Sequence, residues 1–368
     1  MADEKRPYRA EHVGSFPRPD ALMQAREDFA AGKLSRDALK RVEHDAIAQI
    51  VAMQERVGIG ALTDGEYPKT GWREFLFEKC DGFSKEPSPP AFMFHMYDGT
   101  EWAATGEPKV TGKLKRRESL SADDFSVLKT MTKRPIKANV PTPAIAHFNG
   151  DTLLDRSVYP TRTPFFADLA RIMREEIADL AARGCTYLQM DEVPLAVLCD
   201  PNNREIVRGR GEDPEELIDT YIDAINQSIK DKPAGMTIAV HFCRGNRDNG
   251  MADGGYEPIA ERIFNRLDVD GFFLEYDTPR AGDFRPLRFV PKGKRVVLGL
   301  VSTKVPALET ADALKRRIDE AAKSVPLDQL CLSPQCGFSS NARRGRFPLD
   351  TVERKLARIV EVAHDLWG

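Results

Sequence analysis

The stretch Thr237–Asn246, TIAVHFCRGN, decides the fold, because it reads as a buried β-strand that ends in chemically reactive residues. An apolar, β-branched run leads into a histidine and a cysteine, and a polar Arg-Gly-Asn turn follows. Side chains two positions apart on a strand lie on the same face. His241 and Cys243 are therefore predicted to point one way, while Val240 and Phe242 point toward a helical layer.

Seven further short apolar runs occur along the chain, and amphipathic stretches of helical length separate most of them. The runs are Glu11–Phe16, Ala61–Glu66, Ile136–Pro141, Thr186–Glu192, Gly271–Tyr276, Val296–Val301 and Gln329–Pro334. Eight β-then-α units predict an α/β protein in which a closed parallel sheet is wrapped by helices, a (β/α)8 TIM barrel. We expect residues 1–368 to form this single domain.

Two regions depart from the alternation of strand and helix. Leu22–Val57 is predicted to form two N-terminal helices that separate near Gly32. Asp81–Asp124 combines the proline-rich SKEPSPP, several aromatic residues and EPKVTGKLKRRESL, which predicts a β-hairpin insertion with a mobile tip. Such an insertion is either a lid over one end of the barrel or an ordinary surface excursion.

Composition excludes several classes of function. The 368 residues carry a net charge of −3, which gives no reason to expect nucleic acid or an anionic membrane as partner. No apolar run approaches the ~18 residues of a membrane span, and MADEKRPYRAEH has no signal-peptide core. Six scattered cysteines do not form a disulfide framework. We expect a cytoplasmic protein with reduced thiols.

Polar and ionisable residues follow the predicted strands, at the end of the barrel where enzymes of this fold place their working residues. They include Ser15, Glu66, Asp191, His241, Cys243, Glu275, Lys304 and Cys336. Buried carboxylates are unfavourable unless they are paired or bind something, so a purely structural role does not account for the whole set.

An imidazole beside a thiolate suits Zn²⁺, which takes nitrogen and sulfur ligands. Cys336 can supply a second sulfur across the barrel mouth, and Glu275 can supply an oxygen. The pair of His241 and Cys243 can instead be read as a nucleophile with its general base. The remaining cysteines and histidines are expected to be core or surface residues without convergent partners: Cys185, Cys199, Cys331, His44, His95, His147 and His364.

Motifs along nearly the whole chain resemble one known family. They are HVGSFPRP (His12–Pro19), TDGE (Thr63–Glu66), GCTYLQMDEV (Gly184–Val193), HFCRGN (His241–Asn246), FFLEYD (Phe272–Asp277), GLVSTK (Gly299–Lys304) and LSPQCGF (Leu332–Phe338). The chain resembles the catalytic half of cobalamin-independent methionine synthase, and still more its single-barrel bacterial relatives. The resemblance implies a zinc-bearing TIM barrel whose metal ligands match His241, Cys243, Glu275 and Cys336.

The resemblance also implies a substrate and a reaction. Ser15 matches the serine that holds the carboxylate of homocysteine, and Glu66 and Asp191 match the two acids that hold its ammonium. The implied chemistry is thiol methylation in methionine biosynthesis, in which zinc lowers the pKa of the thiol. A folate donor also needs an acid to protonate its leaving amine.

Two departures from the family pattern concern the methyl donor. The full-length synthase has a second, N-terminal barrel that helps to bind folate, and this chain has the length of one barrel. Lys304 stands where the synthase carries a histidine suited to proton delivery. The donor is therefore a methyltetrahydrofolate or another methylated compound, or a partner protein presents it, and Lys304, His12 or a lid residue supplies the proton.

Three other functions fit parts of the pattern. Epoxide-to-coenzyme M transferases carry a similar His-X-Cys and Cys arrangement, but Glu66 and Asp191 would repel a sulfonate-bearing thiol that lacks an ammonium. A non-catalytic zinc- or thiol-binding barrel would leave the two acids unexplained. A metal-free barrel of the uroporphyrinogen decarboxylase type would make His241, Cys243 and Cys336 coincidental.

Overall fold

The protein's structure, a computed structural model, describes residues 5–89, 92–95, 100–103, 106–245, 252–339 and 347–368. Part of the predicted mobile tip of the insertion falls outside these ranges. So does Asn246, the final residue of the HFCRGN motif.

Within the described residues, ten strands form one parallel sheet and two antiparallel pairs. They are β1 (Cys80–Pro87), β2 (Met93–His95), β3 (Glu101–Ala103), β4 (Pro108–Arg116), β5 (Ala138–Pro141), β6 (Tyr187–Glu192), β7 (Thr237–Phe242), β8 (Gly271–Glu275), β9 (Arg295–Val301) and β10 (Leu330–Pro334). The parallel sheet runs β5-β6-β7-β8-β9-β10, so each strand pairs with the next along the chain. This order confirms the predicted α/β fold with its parallel sheet.

Both edges of that sheet continue into the N-terminal part of the chain. Parallel bridges join Ala10 to Leu332 on β10 and Leu62 to Ile136 just before β5. The Gly60 N–H donates to the Ala10 carbonyl at 3.0 Å, which links the two N-terminal segments. These contacts connect the edges of the sheet in the order that a (β/α)8 barrel requires.

The prediction of regular strands over Glu11–Phe16 and Ala61–Glu66 is wrong in extent, because the first segment is preceded by a single bridge at Ala10 and the second contains a single bridge at Leu62. Gly14 and Gly65 have φ values of +130° and +72°. These conformations turn the chain before a longer ladder can form.

Helices cover the outside of the sheet. They are α1 (Asp20–Ala30), α2 (Arg36–Val57), α3 (Glu74–Glu78), α4 (Ala122–Met131), α5 (Arg162–Ala182), α6 (Pro194–Val197), α7 (Pro201–Gly209), α8 (Pro214–Ile229), α9 (Glu257–Arg266), α10 (Ala311–Ala321) and α11 (Leu349–Trp367). The two predicted N-terminal helices are confirmed, with Gly32 between them at φ +72°. Among the described helices, none combines the length and apolar character that a bilayer crossing requires.

The predicted insertion contains both antiparallel pairs. β1 pairs with β4, and the shorter β2 pairs with β3. Its described outer part touches the loop after β5, where the Asn149 amide donates to Ser88 Oγ at 3.0 Å and Phe92 packs on Phe148 with ring centroids 4.6 Å apart. The insertion is thus attached to the same end of the sheet as the predicted site.

Alternation along the strands separates two cores. Small and aromatic side chains fill the inside of the barrel: Val13, Ala61, Tyr187, Ala239, Phe273, Val297 and Cys331. Val240 and Phe242 belong to the outer core with the helices. The prediction from the opening stretch is therefore confirmed, and His241 and Cys243 continue the inward face of β7 above Ala239.

Candidate active site

Three predicted side chains come together at the mouth of the barrel. His241 lies near the end of β7, Cys243 follows that strand, and Cys336 follows β10. One nitrogen or sulfur atom from each lies within 4.8 Å of the others, and the two Sγ atoms are 3.2 Å apart. All three are buried, with exposed fractions of 2%, 6% and 2%. One imidazole and two thiols form a donor set that suits a thiophilic metal ion such as zinc.

The three side chains of the cluster shift one another's pKa values. Burial opposes ionisation of Cys336, but hydrogen bonds with Cys243 and His241 hold the pKa of its thiol well below the usual range. The hydrogen bond with Cys336, together with burial, raises the pKa of Cys243 well above its usual range. Burial lowers the pKa of His241, yet hydrogen bonds with Asp191 and Cys336 raise it to about 10. The surroundings therefore favour the ionised form of the Cys336 thiol, which is the form that binds a metal cation.

Asp191 orients the histidine. It is the register partner of His241 on the neighbouring strand β6, and its Oδ1 lies 3.0 Å from His241 Nδ1. The amide of Gln189, two residues earlier on the same face, donates to the same oxygen at 2.7 Å. A carboxylate on Nδ1 leaves Nε2 as the nitrogen available to a metal.

Glu275, the fourth predicted ligand, lies beside the cluster. Its Oε1 is 4.0 Å from Cys243 Sγ, and its carboxylate is outside the set of three that meets within 4.8 Å among the described residues. Its Oε2 accepts the Arg244 N–H at 2.9 Å. Burial raises the pKa of Glu275 to about 7.

The predicted substrate residues lie around the same mouth. Ser15 packs so closely against the loop after β10 that a Cβ on Gly337 would come 1.9 Å from its Oγ. Glu66 has a φ of +58°, a conformation that non-glycine residues rarely adopt. Its Oε2 is buried and has no hydrogen-bonding partner in the described part of the chain.

Glu66 and Asp191 interact with each other through space. Burial raises the pKa of Glu66 to about 8, Lys69 opposes this rise, and the charge of Asp191 adds to it. Two carboxyl groups that repel each other in a buried mouth favour a bound cation, such as the ammonium of an amino acid.

The two predicted proton donors differ in their surroundings. Lys304 is buried in the loop after β9, and its charge acts on Cys336 and on Glu275. His12 faces away from the barrel interior, and its Nε2 lies 2.8 Å from the Ala61 carbonyl. Burial, followed by the charge of Lys137, lowers the pKa of His12 to about 3. His12 as a proton donor stays a prediction, and so does Lys304.

The expectation that His147 has no convergent partner is also wrong. It is fully buried, with Nδ1 at 3.0 Å from the Tyr221 hydroxyl and Nε2 at 3.0 Å from Asp151 Oδ1, and Glu212 lies nearby. These partners come from a short helical turn, from α8 and from the chain between α7 and α8, so no strand end signalled them. Cys185, Cys199 and Cys331 are buried and His44 and His364 are exposed, as expected, while the side chain of His95 lies outside the described part.

Sequence reasoning missed three residues that hold the site together. Arg18 is buried and donates to the carbonyls of Phe16 (3.1 Å) and Glu66 (2.7 Å), which fixes the loops that carry Ser15 and Glu66. Gln189 and Arg244 hold Asp191 and Glu275. Gln189 could have been found from its i, i+2 relation to Asp191. Arg244 stands directly after Cys243, but an arginine in a polar turn is usually exposed.

Comparison with known proteins agrees with this geometry. The family model described as "Cobalamin-independent synthase, Catalytic domain" matches residues 9–365. The chain belongs to this family. Among its relatives, Bacillus subtilis YxjH is 38% identical over 99% of this chain and 96% of its own length. The methionine synthase of Pyrococcus abyssi is 26% identical over 90% of this chain and 86% of its own length.

One solved structure is similar to this chain in both sequence and fold. The crystal structure of a vitamin-B12-independent methionine synthase homologue from Listeria monocytogenes aligns over 100% of both chains, with a TM-score of 0.77 and 32% identity. The family membership and the TIM-barrel fold predicted from the motifs are confirmed. The comparisons support a methyltransferase of the methionine synthase family, and the His241, Cys243 and Cys336 cluster is a candidate metal site within it.

Proposed function

We propose that this chain is a zinc-dependent methyltransferase that transfers a methyl group to the thiol of homocysteine and so forms methionine. The observation that carries the proposal is the juxtaposition of the His241, Cys243 and Cys336 donors with the acids Glu66 and Asp191 in one buried mouth. The donors suit zinc, and the acids suit the ammonium of an amino acid that brings the thiol.

His241, Cys243 and Cys336 would hold the metal, with Asp191 fixing the orientation of the imidazole. When bound, zinc would lower the pKa of an incoming thiol so that it is ionised at neutral pH. The fold excludes bulk water from this region, because each of the three donors is at most 6% exposed. A low dielectric strengthens the electrostatic interactions that hold an ionised thiol.

Ser15, Glu66 and Asp191 would bind the amino-acid end of homocysteine. The Ser15 hydroxyl can donate to the substrate carboxylate. Glu66 Oε2, which has no hydrogen-bonding partner in the described part of the chain, can accept from the ammonium. Binding the ammonium would favour the ionised form of Glu66 beside Asp191, and so orient the thiol toward the metal donors.

Lys304 is the candidate for proton delivery to the methyl donor whose charge acts on the cluster, and His12 or a lid residue is the alternative. Lys304 follows β9, and the charge of its ammonium acts to lower the pKa of both Cys336 and Glu275. A methylated folate is one donor class, and another methylated compound or a donor presented by a partner protein is the alternative. The relatives named methionine synthase support homocysteine as the acceptor without separating these donors.

The decisive experiment measures metal content by plasma mass spectrometry on the purified wild type and on Cys243→Ser, before zinc is added. Cys185→Ser is the matched control, because Cys185 is buried outside the cluster and donates to the Tyr187 carbonyl at 3.2 Å. We expect about one zinc ion per chain in the wild type and in the control, and a loss in Cys243→Ser, since three firm protein ligands define such a site.

Turnover of homocysteine is then assayed with methylated folates and with other methylated compounds as donors. Methionine formation that requires zinc and is lost in Cys243→Ser supports the proposal. A wild type that binds no zinc after reconstitution under reducing conditions would overturn it. Zinc binding without methionine formation from any donor would favour the non-catalytic zinc- or thiol-binding barrel.

A further inference from the structure

Lys137 is a fully buried cation in the barrel interior. It stands just before β5, and its Nζ lies 3.2 Å from Oε2 of Glu11, whose side chain is also fully buried. The ammonium lies 4.7 Å and 5.5 Å from the ring centres of Phe273 and Tyr187, which belong to the inner core. Removing an ammonium from water is unfavourable, so packing alone does not account for a lysine at this place.

The ammonium has a hydrogen-bond acceptor for each of its three protons. The acceptors are Glu11 Oε2, the His12 carbonyl and, at 2.9 Å, Gln189 Oε1. Because an ammonium only donates, the side-chain oxygen of Gln189 must face Lys137, and the NH2 group must face the other way. The lysine therefore fixes the orientation of the Gln189 amide.

The NH2 group of that amide reaches the candidate site. Gln189 Nε2 donates to the Val13 carbonyl at 2.8 Å and to Asp191 Oδ1 at 2.7 Å. A reversed amide would place its oxygen against a carbonyl and a carboxylate, and its NH2 group against the ammonium of Lys137. Lys137 and Asp191 are thus connected through one amide that has a single favourable orientation.

The two oxygens of Asp191 are unequal as a result. Oδ1 accepts from Gln189 and lies 3.0 Å from His241 Nδ1, whereas Oδ2 has no hydrogen bond to any residue that the structure describes. Charge supports the same arrangement, since burial lowers the pKa of Lys137 while Glu11 and then Asp191 oppose that fall. The barrel interior therefore holds Asp191 by one oxygen and leaves the other for a ligand.

We propose that Lys137 is a positioning residue for the amino-acid end of the substrate. Through Gln189 it holds Asp191 Oδ1 toward His241, so that Oδ2 stays free to accept from the ammonium of homocysteine. This inference rests on the proposed function. It gives a lysine of the barrel interior a part in selecting thiols that carry an ammonium.

Binding of two thiols to zinc-loaded protein, measured by calorimetry, tests the inference. Homocysteine carries the ammonium, and 4-mercaptobutyrate is the same thiol acid without it. The test variant combines Glu11→Gln with Lys137→Met, which removes the buried ion pair as a whole and leaves neither charge unpaired. It should bind homocysteine about fivefold more weakly or worse, because Asp191 loses its support from a buried charged network. Its affinities for 4-mercaptobutyrate and for zinc should stay within about twofold of the wild type, because neither depends on the ammonium.

Glu11→Gln alone is the matched control. It alters the same ion pair but keeps Lys137 and its bond to Gln189, so the affinities for both thiols should stay within about twofold of the wild type. Gln189→Met is a second test variant, which keeps the Lys137–Glu11 pair and removes the bond to Asp191. It should show the same selective loss of homocysteine, and it decides the question if the double variant does not fold.

Equal weakening of both thiols in the two test variants would overturn the inference, because it would indicate a general structural role. Unchanged homocysteine affinity in these variants would also overturn it, and would leave the proposed function standing. A wild type that binds zinc but not homocysteine would overturn the proposed function, and this inference with it.

Discussion

Two buried histidines of this protein each lie beside an aspartate, but the other groups around the two pairs differ. Both His241 and His147 are at most 2% exposed, and each has a ring nitrogen 3.0 Å from an aspartate oxygen. His241 meets Cys243 and Cys336, whereas the carboxylate beside His147 is shared with arginines.

The arginines decide what the second cluster can do. Asp151 Oδ2 lies 2.9 Å from Arg156 and 3.0 Å from Arg162, and Arg162 also lies 3.7 Å from Glu212. Carboxylates neutralised by guanidinium groups are poor ligands for a cation, because the metal would bring positive charge among fixed positive charges. A histidine–aspartate pair is therefore no sign of a metal site until the remaining charges are counted.

Replacing each histidine in turn tests this distinction with the largest expected effect. We expect His241→Gln to lose most bound zinc and all measurable turnover, because it removes one of three firm ligands. His147→Gln should retain full zinc content and lose about 1–3 kcal/mol of unfolding free energy, since it disturbs buried hydrogen bonds. Plasma mass spectrometry and urea denaturation measure the two quantities. Zinc loss in both variants would show that the comparison is wrong.

Replacing each aspartate should give a smaller, selective effect. Asp191→Asn should keep zinc, because the amide oxygen can still accept from His241 Nδ1. It should weaken homocysteine binding by about tenfold or more, since an ammonium loses a charged partner. Asp151→Asn serves as the control and should leave homocysteine affinity unchanged. Calorimetric titration of zinc-loaded protein measures both, and metal loss in Asp191→Asn would show that Asp191 acts mainly through His241.

The sequence specified the central part of the barrel and the metal donors well, for a physical reason. β5 to β10 are apolar runs buried on both faces. Polar residues follow these runs, and strand alternation predicts which of them point into the barrel. His241 and Cys243 lie on the inward face at the end of β7, and Cys336 follows the end of β10. The two N-terminal segments form only single bridges, at Ala10 and Leu62, because Gly14 and Gly65 turn the chain, so the extent of these strands was overestimated.

Residues that act through tertiary contacts were harder to predict. His147 meets Asp151 and Glu212 only after the chain has folded over the sheet, and Arg244 is buried only because Glu275 and Tyr256 face it. Periodicity reports which face of an element a residue occupies, but not which charge lies opposite. Charge partners across distant segments therefore had to come from the structure.

The two regions are also expected to differ in how their carboxyl groups make stability depend on pH, which is the smallest of the expected effects. Burial raises the pKa of Glu66 from 4.5 to about 8. Between these values the folded state keeps a proton that the unfolded chain has released, so this group makes stability fall as pH rises, by at most about 1.4 kcal/mol per pH unit. The hydrogen bond to His147 has the opposite effect on Asp151 and, against the influence of burial, holds its pKa below the usual range. Its contribution is present above the unfolded pKa and is lost as pH falls.

Glu66→Gln should therefore flatten the decline in stability between pH 4.5 and pH 8, the two pKa values that bound the Glu66 shift. Asp151→Asn should leave that decline intact and reduce the loss of stability on the acid side. Urea denaturation across the pH range, with zinc content held constant, measures both profiles. Parallel curves for the wild type and Glu66→Gln would mean that Glu66 is already ionised in the folded protein, and hence that a cation other than the substrate ammonium stabilises it.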